Sequence, residues 1–473
     1  MNDHQFSQTN SVVNTIRRRE FLRTGLSGFA GLTLPELFQQ RVNAGQATPK
    51  STGKLENTAV ILIWLQGGAS HLETYDPKPE SGSAYCGPFS PIATSANGVE
   101  ICELLPKHAQ VADKFSLLRS MVHTGFCHQQ GTQQLLTGHG VRILKQKPDN
   151  PDLFSIAHHM RFDPKRSIPN YVGVNPVAYA GSAYLGKLYE PFAVTGDPNQ
   201  PNFQVPNIGL VDADKVKRMR TRIGLRKNLD NLRSDIDQLG TMRAFDEFES
   251  QAWNVLTSSE ARDAFDINAE DSKTRDRYGR NRWGQQALMA RRLVEAGVEL
   301  VTTQFNGSLC GRVGNWDDHA VNHNVFEGMK HRAPFYDQAV AALIEDLYDR
   351  GLDKKVMVIV TGEFGRTPKI SYVASSGGGV ASAKQGTIQP GRNHWPRATS
   401  ILFSGGNIET GQVIGATDSR GEDATDRIVG RQDFLATVYQ HLGIDAANVA
   451  FTNFNGRPVN IITDGKPIPE LVG

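Results

Sequence analysis

Residues 59–68 read Ala59-Val60-Ile61-Leu62-Ile63-Trp64-Leu65-Gln66-Gly67-Gly68, an unbroken apolar run closed by a glutamine and paired glycines. Such a run predicts a strand buried on both faces, the kind that lies inside a parallel sheet covered by helices. Working outward, 355–361 is the strongest further strand, 298–305 and 399–403 are clear ones, and 115–119 is weaker. Helical periodicity marks 283–296, ending at Gly297, then 333–350, ending at Gly351, and 433–442. Glycine just past the last periodic residue is the usual helix stop, because it accepts a left-handed backbone without a Cβ clash. Strand and helix alternate along the chain, which predicts an α/β fold: a doubly wound, largely parallel sheet flanked by helices. Residues 212–280 depart from this pattern. They are rich in Lys, Arg, Asp and Glu at helical spacing and are expected to form a helical insertion over the sheet. Gly377-Gly378-Gly379 reads as a flexible surface loop.

The N-terminus carries a different kind of signal. Arg18-Arg19-Glu20-Phe21-Leu22-Arg23 matches the twin-arginine export pattern, and the weakly apolar stretch after it contains Gly25, Gly28 and Gly31. That stretch is too short and too polar to cross a bilayer. Residues 1–44 are therefore expected to be an export signal and 45–473 the working domain. The implied partner is the twin-arginine translocase, and the implied destination is the periplasm or the extracellular space. Cargo of this kind folds before it crosses the membrane, often around a cofactor.

The whole chain has 51 Lys and Arg against 49 Asp and Glu. Removing the five basic and three acidic residues of 1–44 leaves 46 of each. A balance this even gives no electrostatic footprint for nucleic acid. No later apolar run reaches the roughly 20 residues of a transmembrane helix. Apolar residues at 39% and charged residues at 21% suit a globular protein and exclude a disordered one. Four cysteines, Cys86, Cys102, Cys127 and Cys310, are too few for a disulfide scaffold, and none are spaced as a zinc knuckle. A Cys86–Cys102 bridge and buried free thiols both remain open.

Ligands in open α/β sheets collect where the carboxyl ends of strands open into loops. Four such segments carry unusual polar residues. After 59–65 come Gly67-Gly68-Ala69-Ser70-His71 and Asp76, where His71 and Asp76 could be a metal ligand and its supporting acceptor, or parts of a hydrogen-bonded turn. After 298–305 come Trp316-Asp317-Asp318-His319 and His323. A helical turn would put His319 and His323 on one face, and the rival reading is a solvated polar loop. After 355–361 comes Gly362-Glu363-Phe364-Gly365-Arg366-Thr367-Pro368, a carboxylate for a metal and a guanidinium for an oxyanion, or simply a structural ion pair. The fourth is Gly391-Arg392-Asn393-His394-Trp395-Pro396, with His394 beside a rigid Trp-Pro step. Imidazole with carboxylate suits zinc, manganese or iron better than calcium. Together these residues suggest metal-assisted hydrolysis of an oxyanion ester. Other chemistries leave no trace: there is no Gly-x-Ser-x-Gly elbow, phosphate-binding loop, His-Glu-x-x-His helix or GxGxxG after the first strand.

Those motifs, with Tyr278-Gly279, the run 290–298 and Gly456-Arg457-Pro458, resemble a bacterial exported family described as domain of unknown function 1501. The resemblance spans nearly all of residues 45–473. That family is grouped with the alkaline phosphatase and sulfatase superfamily, which implies an alkaline phosphatase-like sheet with metal ligands at its strand ends. Two departures stand out. Gln66-Gly67 replaces the superfamily's Asp-Gly after the first strand, and Cys127 lacks the Pro and Arg of the sulfatase Cys-x-Pro-Ser-Arg motif, leaving His128 near the nucleophile position. The resemblance implies an exported metal-dependent hydrolase of sulfate or phosphate esters, on small molecules or polysaccharides. Asp317, His319 or His323, Glu363 and His394 would hold a divalent metal, Arg366 would clamp the anion, and His128 or a metal-activated water would attack. The competing expectation is a non-catalytic relative that binds or assembles at the cell surface.

Overall fold

The computed structural model describes residues 58–205, 208, 254–255, 257–307, 309, 314–378 and 381–472. The export signal, residues 212–253 of the expected insertion, Cys310 and Gly379 lie outside the described residues.

The expected central strand is β1 (Ala59–Trp64), buried at every position. The other strands of its sheet are β2 (Phe115–Val122), β3 (Tyr171–Val174), β4 (Phe192–Val194), β5 (Leu300–Gln304), β6 (Val356–Thr361), β7 (Thr399–Gly405), β8 (Val413–Ile414) and β9 (Val429–Gly430). They form a nine-stranded sheet in the order β8-β2-β7-β6-β1-β5-β3-β4, with β9 also on β2. All neighbours are parallel except β7, which runs antiparallel between β2 and β6. The sheet is thus largely parallel, as expected.

Alternation along β1 divides the core. Ile61 and Ile63 face α3 (Arg282–Glu295) and α4 (Val325–Asp349), whereas Val60, Leu62 and Trp64 face α1 (His128–Thr137), α2 (Leu153–Met160) and α5 (Arg431–His441). Helices therefore cover both sides, which is why the central strands are apolar throughout rather than alternating. β5 and β6 are consecutive strands of this sheet in the chain but flank β1 on opposite sides, so the loops leaving them diverge and open a crevice above the end of β1.

One expectation is revised and one open alternative is decided. α4 starts at Val325, not at 333, because Asn324 Oδ1 caps the amides of Phe326 and Glu327 at 3.1 and 3.3 Å. Pro334, a residue type favoured at a first turn, sits inside this helix instead. Cys86 and Cys102 are both free thiols, as is Cys127, so the bridge is not formed. In the described part of 254–280, the short helices Ser259–Phe265 and Ser272–Tyr278 bury Ala261, Phe265 and Tyr278 in the same core as α3.

Candidate metal centre

The paired glycines after β1 are needed for close backbone approach. Gly67 and Gly68 have φ of +108° and +83°, and a Cβ on Gly67 would lie 2.5 Å from the amide nitrogen of Asp317. The chain after β5 therefore crosses directly over Gly67, tied by the Trp316 amide to the Gln66 carbonyl at 2.8 Å. Trp316 is fully buried and anchors this crossing: its ring stacks on Trp283 at 5.8 Å, and the Arg332 guanidinium lies 4.8 Å from it. The next residue, Asp317, is thereby held in the crevice.

Three further segments reach Asp317. Arg366 and His394 are register partners in a two-stranded ribbon after β6. The buried Arg366 guanidinium donates through Nε to Gly68 O at 2.9 Å, through Nη1 to Arg392 O at 3.2 Å, and through Nη2 to Gly67 O and to Asp317 Oδ1. His394 Nε2 lies 3.3 Å and His319 Nε2 3.2 Å from the same Oδ1, and the two imidazole nitrogens are 3.0 Å apart. His128, the first residue of α1, meets the other carboxylate oxygen, with Nε2 3.5 Å from Asp317 Oδ2 and its ring centroid 4.5 Å from that of His394. Its Nδ1 is 2.7 Å from Glu363 Oε1, which also accepts the Gly67 amide at 2.9 Å. Phe364 walls the cluster, its ring centroid 4.3 Å from that of His394.

The outer nitrogens of these imidazoles decide what the inner ones can do. His394 Nδ1 faces the Phe126 carbonyl at 2.8 Å, and His319 Nδ1 faces Asn393 Oδ1 at 2.7 Å. Both partners only accept, so each Nδ1 carries the proton and each Nε2 presents a lone pair. In these tautomers two imidazole lone pairs converge on a carboxylate oxygen whose hydrogen bond comes from Arg366 Nη2. Burial together with Arg366 and His128 lowers the His394 pKa in spite of Asp317, which disfavours resolving the conflict by protonation there. His128 behaves oppositely. Burial would depress it, but hydrogen bonds to Asp317 and Glu363 outweigh burial and raise its pKa to about 9. For Asp317, burial would raise the carboxyl, but the adjoining imidazoles of His128, His319 and His394, with the Arg366 guanidinium, hold it well below the usual carboxylate range.

This donor set fits a cation. One ligand atom each from His128, Asp317 and His394 lies within 4.8 Å of the others. Each imidazole has an oxygen acceptor behind it, the arrangement that fixes ring orientation at metal sites. Glu363 Oε2 is buried without a partner among the described residues.

The remaining residues singled out in the sequence lie elsewhere. His71 is buried, with Nε2 2.9 Å from Gly421 O. Asp76 pairs with Lys78 at 3.0 Å and Arg119 at 3.6 Å and accepts from Thr417. His323 lies 3.7 Å from Asp318, which is itself paired with buried Arg332. The structure thus brings together His128, Asp317, His319, Glu363, Arg366 and His394, and leaves His71, Asp76 and His323 outside. Phe126 and Asn393 were not singled out: one acts through its backbone, and the other carries no charge to mark it.

Fold and site together define an α/β protein with a histidine–aspartate pocket at the carboxyl edge of a doubly wound sheet. Its sequence from residue 57 to 472 matches the model of the family described as protein of unknown function DUF1501, and the chain belongs to that family. No curated protein matches it in sequence. Among solved structures it is similar to the lipoteichoic acid synthase LtaP from Listeria monocytogenes, with 8% identity, 89% of this chain and 78% of that one covered, and a TM-score of 0.35. It is also similar to the PsFucS1 sulfatase from Pseudoalteromonas sp. (13%, 87% and 71%, TM-score 0.35). A third is the phosphonate monoester hydrolase of Agrobacterium radiobacter (10%, 88% and 77%, TM-score 0.33). Scores this low bear no functional argument.

Proposed function

We propose that the protein is an exported, metal-dependent hydrolase of phosphate or sulfate esters, with His128, Asp317, His319 and His394 holding the metal. The observation that carries this reading is the convergence of His319 Nε2 and His394 Nε2, 3.0 Å apart, on Asp317 Oδ1 at 3.2 and 3.3 Å. A divalent cation bound there supplies positive charge to an ester oxygen and makes water acidic enough to attack near neutral pH. Three imidazoles and one carboxylate suit zinc, manganese or iron.

The chain's own residues hold this arrangement. Glu363 keeps the His128 Nδ1 proton and thereby turns Nε2 toward Asp317. Arg366 is a positioning residue: its Nη2 fixes Asp317, and its buried fork is engaged with the backbone of residues 67, 68 and 392. Neither His128 nitrogen faces open space, since one meets Glu363 and the other Asp317, so His128 would serve as a ligand rather than as the attacking group. His394 and His319 orient the cluster through Phe126 and Asn393.

The test is elemental analysis of the purified protein, followed by assays with aryl phosphate and aryl sulfate before and after chelation. A bound transition metal and a chelator-sensitive hydrolysis are expected. Protein that binds no metal when offered zinc, manganese and iron sinks the proposal. Metal retention without ester turnover would favour a binding or assembly role for the same centre.

A further inference from the structure

We infer that a face built from two loop tips docks on an anionic membrane surface, an inference independent of the hydrolase reading. The first tip follows α1. Its chain is strapped along the helix by Gln130 Nε2 to Val141 O at 3.3 Å and Gln133 Nε2 to Lys145 O at 2.8 Å. Between and beyond these straps, Arg142-Ile143-Leu144-Lys145-Gln146-Lys147 is exposed at every residue. Ile143 is 67% and Leu144 53% exposed, and no acidic residue lies between 138 and 148. The second tip closes the hairpin of Ala450–Thr452 and Pro458–Asn460. It presents Phe454, 78% exposed, beside exposed Arg457, again with no acidic residue in 450–460.

The tips belong to one face. His139 lies close enough to the backbone of Asn460 to feel it electrostatically, which sets the base of the first loop beside the hairpin. Lys147 Nζ donates to Ala180 O at 3.1 Å, and Tyr184, a turn further on, packs edge-on against Phe454 with ring centroids 6.0 Å apart. Lys145 pairs with Asp149 at 2.6 Å and Lys147 approaches Glu190 at 3.9 Å, whereas Arg142 and Arg457 have no carboxylate partner among the described residues. Adjacent aliphatic side chains held out in water, flanked by unpaired cations, match the two halves of an anionic bilayer interface: acyl chains for one and headgroups for the other. A soluble anionic polysaccharide would use the arginines but has nothing for Ile143 and Leu144.

Leu144→Trp in the full-length chain tests this directly, using phosphatidylcholine vesicles containing phosphatidylglycerol with brominated acyl chains. Trp64, Trp283 and Trp316 are fully buried and Trp395 is half-buried, so the quenching of the unsubstituted protein, with its five tryptophans, is the baseline above which the introduced indole is read. Its fluorescence should fall severalfold with anionic vesicles and stay unchanged with pure phosphatidylcholine. Adding Arg142→Glu should reduce the quenching severalfold. The readout sits at position 144, so attraction of vesicles to Arg17, Arg18 and Arg19 does not mimic it. Quenching no greater than in the unsubstituted protein overturns the inference. So does binding of a soluble sulfated polysaccharide that survives Ile143→Ser with Leu144→Ser while vesicles leave the indole unquenched.

Discussion

Nδ1 of His128 lies 2.7 Å from Oε1 of Glu363, and that same oxygen accepts the Gly67 amide at 2.9 Å. One carboxylate therefore ties the start of a helix, the exit of β1 and the exit of β6 into a single frame around Asp317.

Asp317 is the oxygen on which the cluster converges. Asp317→Asn should lower metal affinity by more than the roughly 10–100-fold expected for losing an outer residue. His394→Ala should do the same. Metal content after dialysis, measured by mass spectrometry, checks both; unchanged content would remove these residues from the ligand set.

Glu363→Gln keeps the shape but weakens the hold on the His128 proton. Affinity should fall by roughly 10–100-fold, with binding recovered at high metal concentration and an unchanged circular dichroism spectrum. Failure to bind at any concentration would make Glu363 a ligand in its own right.

Gly67→Ala and Gly98→Ala form a matched pair. Both glycines have positive φ, but an added Cβ meets nothing within 4 Å at Gly98 and meets the Asp317 amide nitrogen at 2.5 Å at Gly67. The strained backbone alone should cost about 1–2 kcal/mol at Gly98. The overpacking at Gly67 should add about 1–3 kcal/mol and also reduce metal binding. Equal unfolding midpoints for the two variants would show that the crossing chain yields at no cost.

His158 gives a pH-dependent stability with a defined sign. Burial lowers its pKa from 6.5 to about 4, so between those values the unfolded chain takes up a proton that the folded chain does not. Stability from this group is present above pH 6.5 and is lost as pH falls toward 4, by at most about 3 kcal/mol. Asp152 opposes it: burial raises that carboxyl to about 6, so its contribution improves as pH falls from 6 toward 4. The two are separated by comparison with His158→Leu, whose unfolding free energy should rise relative to the parent chain as pH drops. Parallel denaturation profiles at pH 7 and 4.5 would contradict this.

Much of the frame was legible because the decisive residues are locally unusual. The unbroken run 59–65 and the glycines after it marked β1 and its crevice, and the polar loops at 317, 363 and 394 followed from where strands end. What escaped depended on long-range packing. The spacing of His319 and His323 suggested a shared face. The His323 amide does bond the His319 carbonyl at 2.9 Å, yet the turn sends one ring to His394 and the other toward Asp318. Arg366 read as an anion clamp because burial of its fork under Gly67 and Gly68 has no local mark. Asp76 looked like a ligand until Lys78 and Arg119 claimed it. The antiparallel course of β7 is equally silent, since a strand buried on both faces reads the same in either direction.

The donors His128, Asp317, His319 and His394 span most of the chain and meet only once β1, β5 and β6 lie side by side. A nascent chain that stops short of residue 394 lacks one of these donors. A protein of this design, if carried across the membrane already folded, would acquire its ion in the compartment of synthesis, where cytosolic metal supply rather than the outside world selects the species.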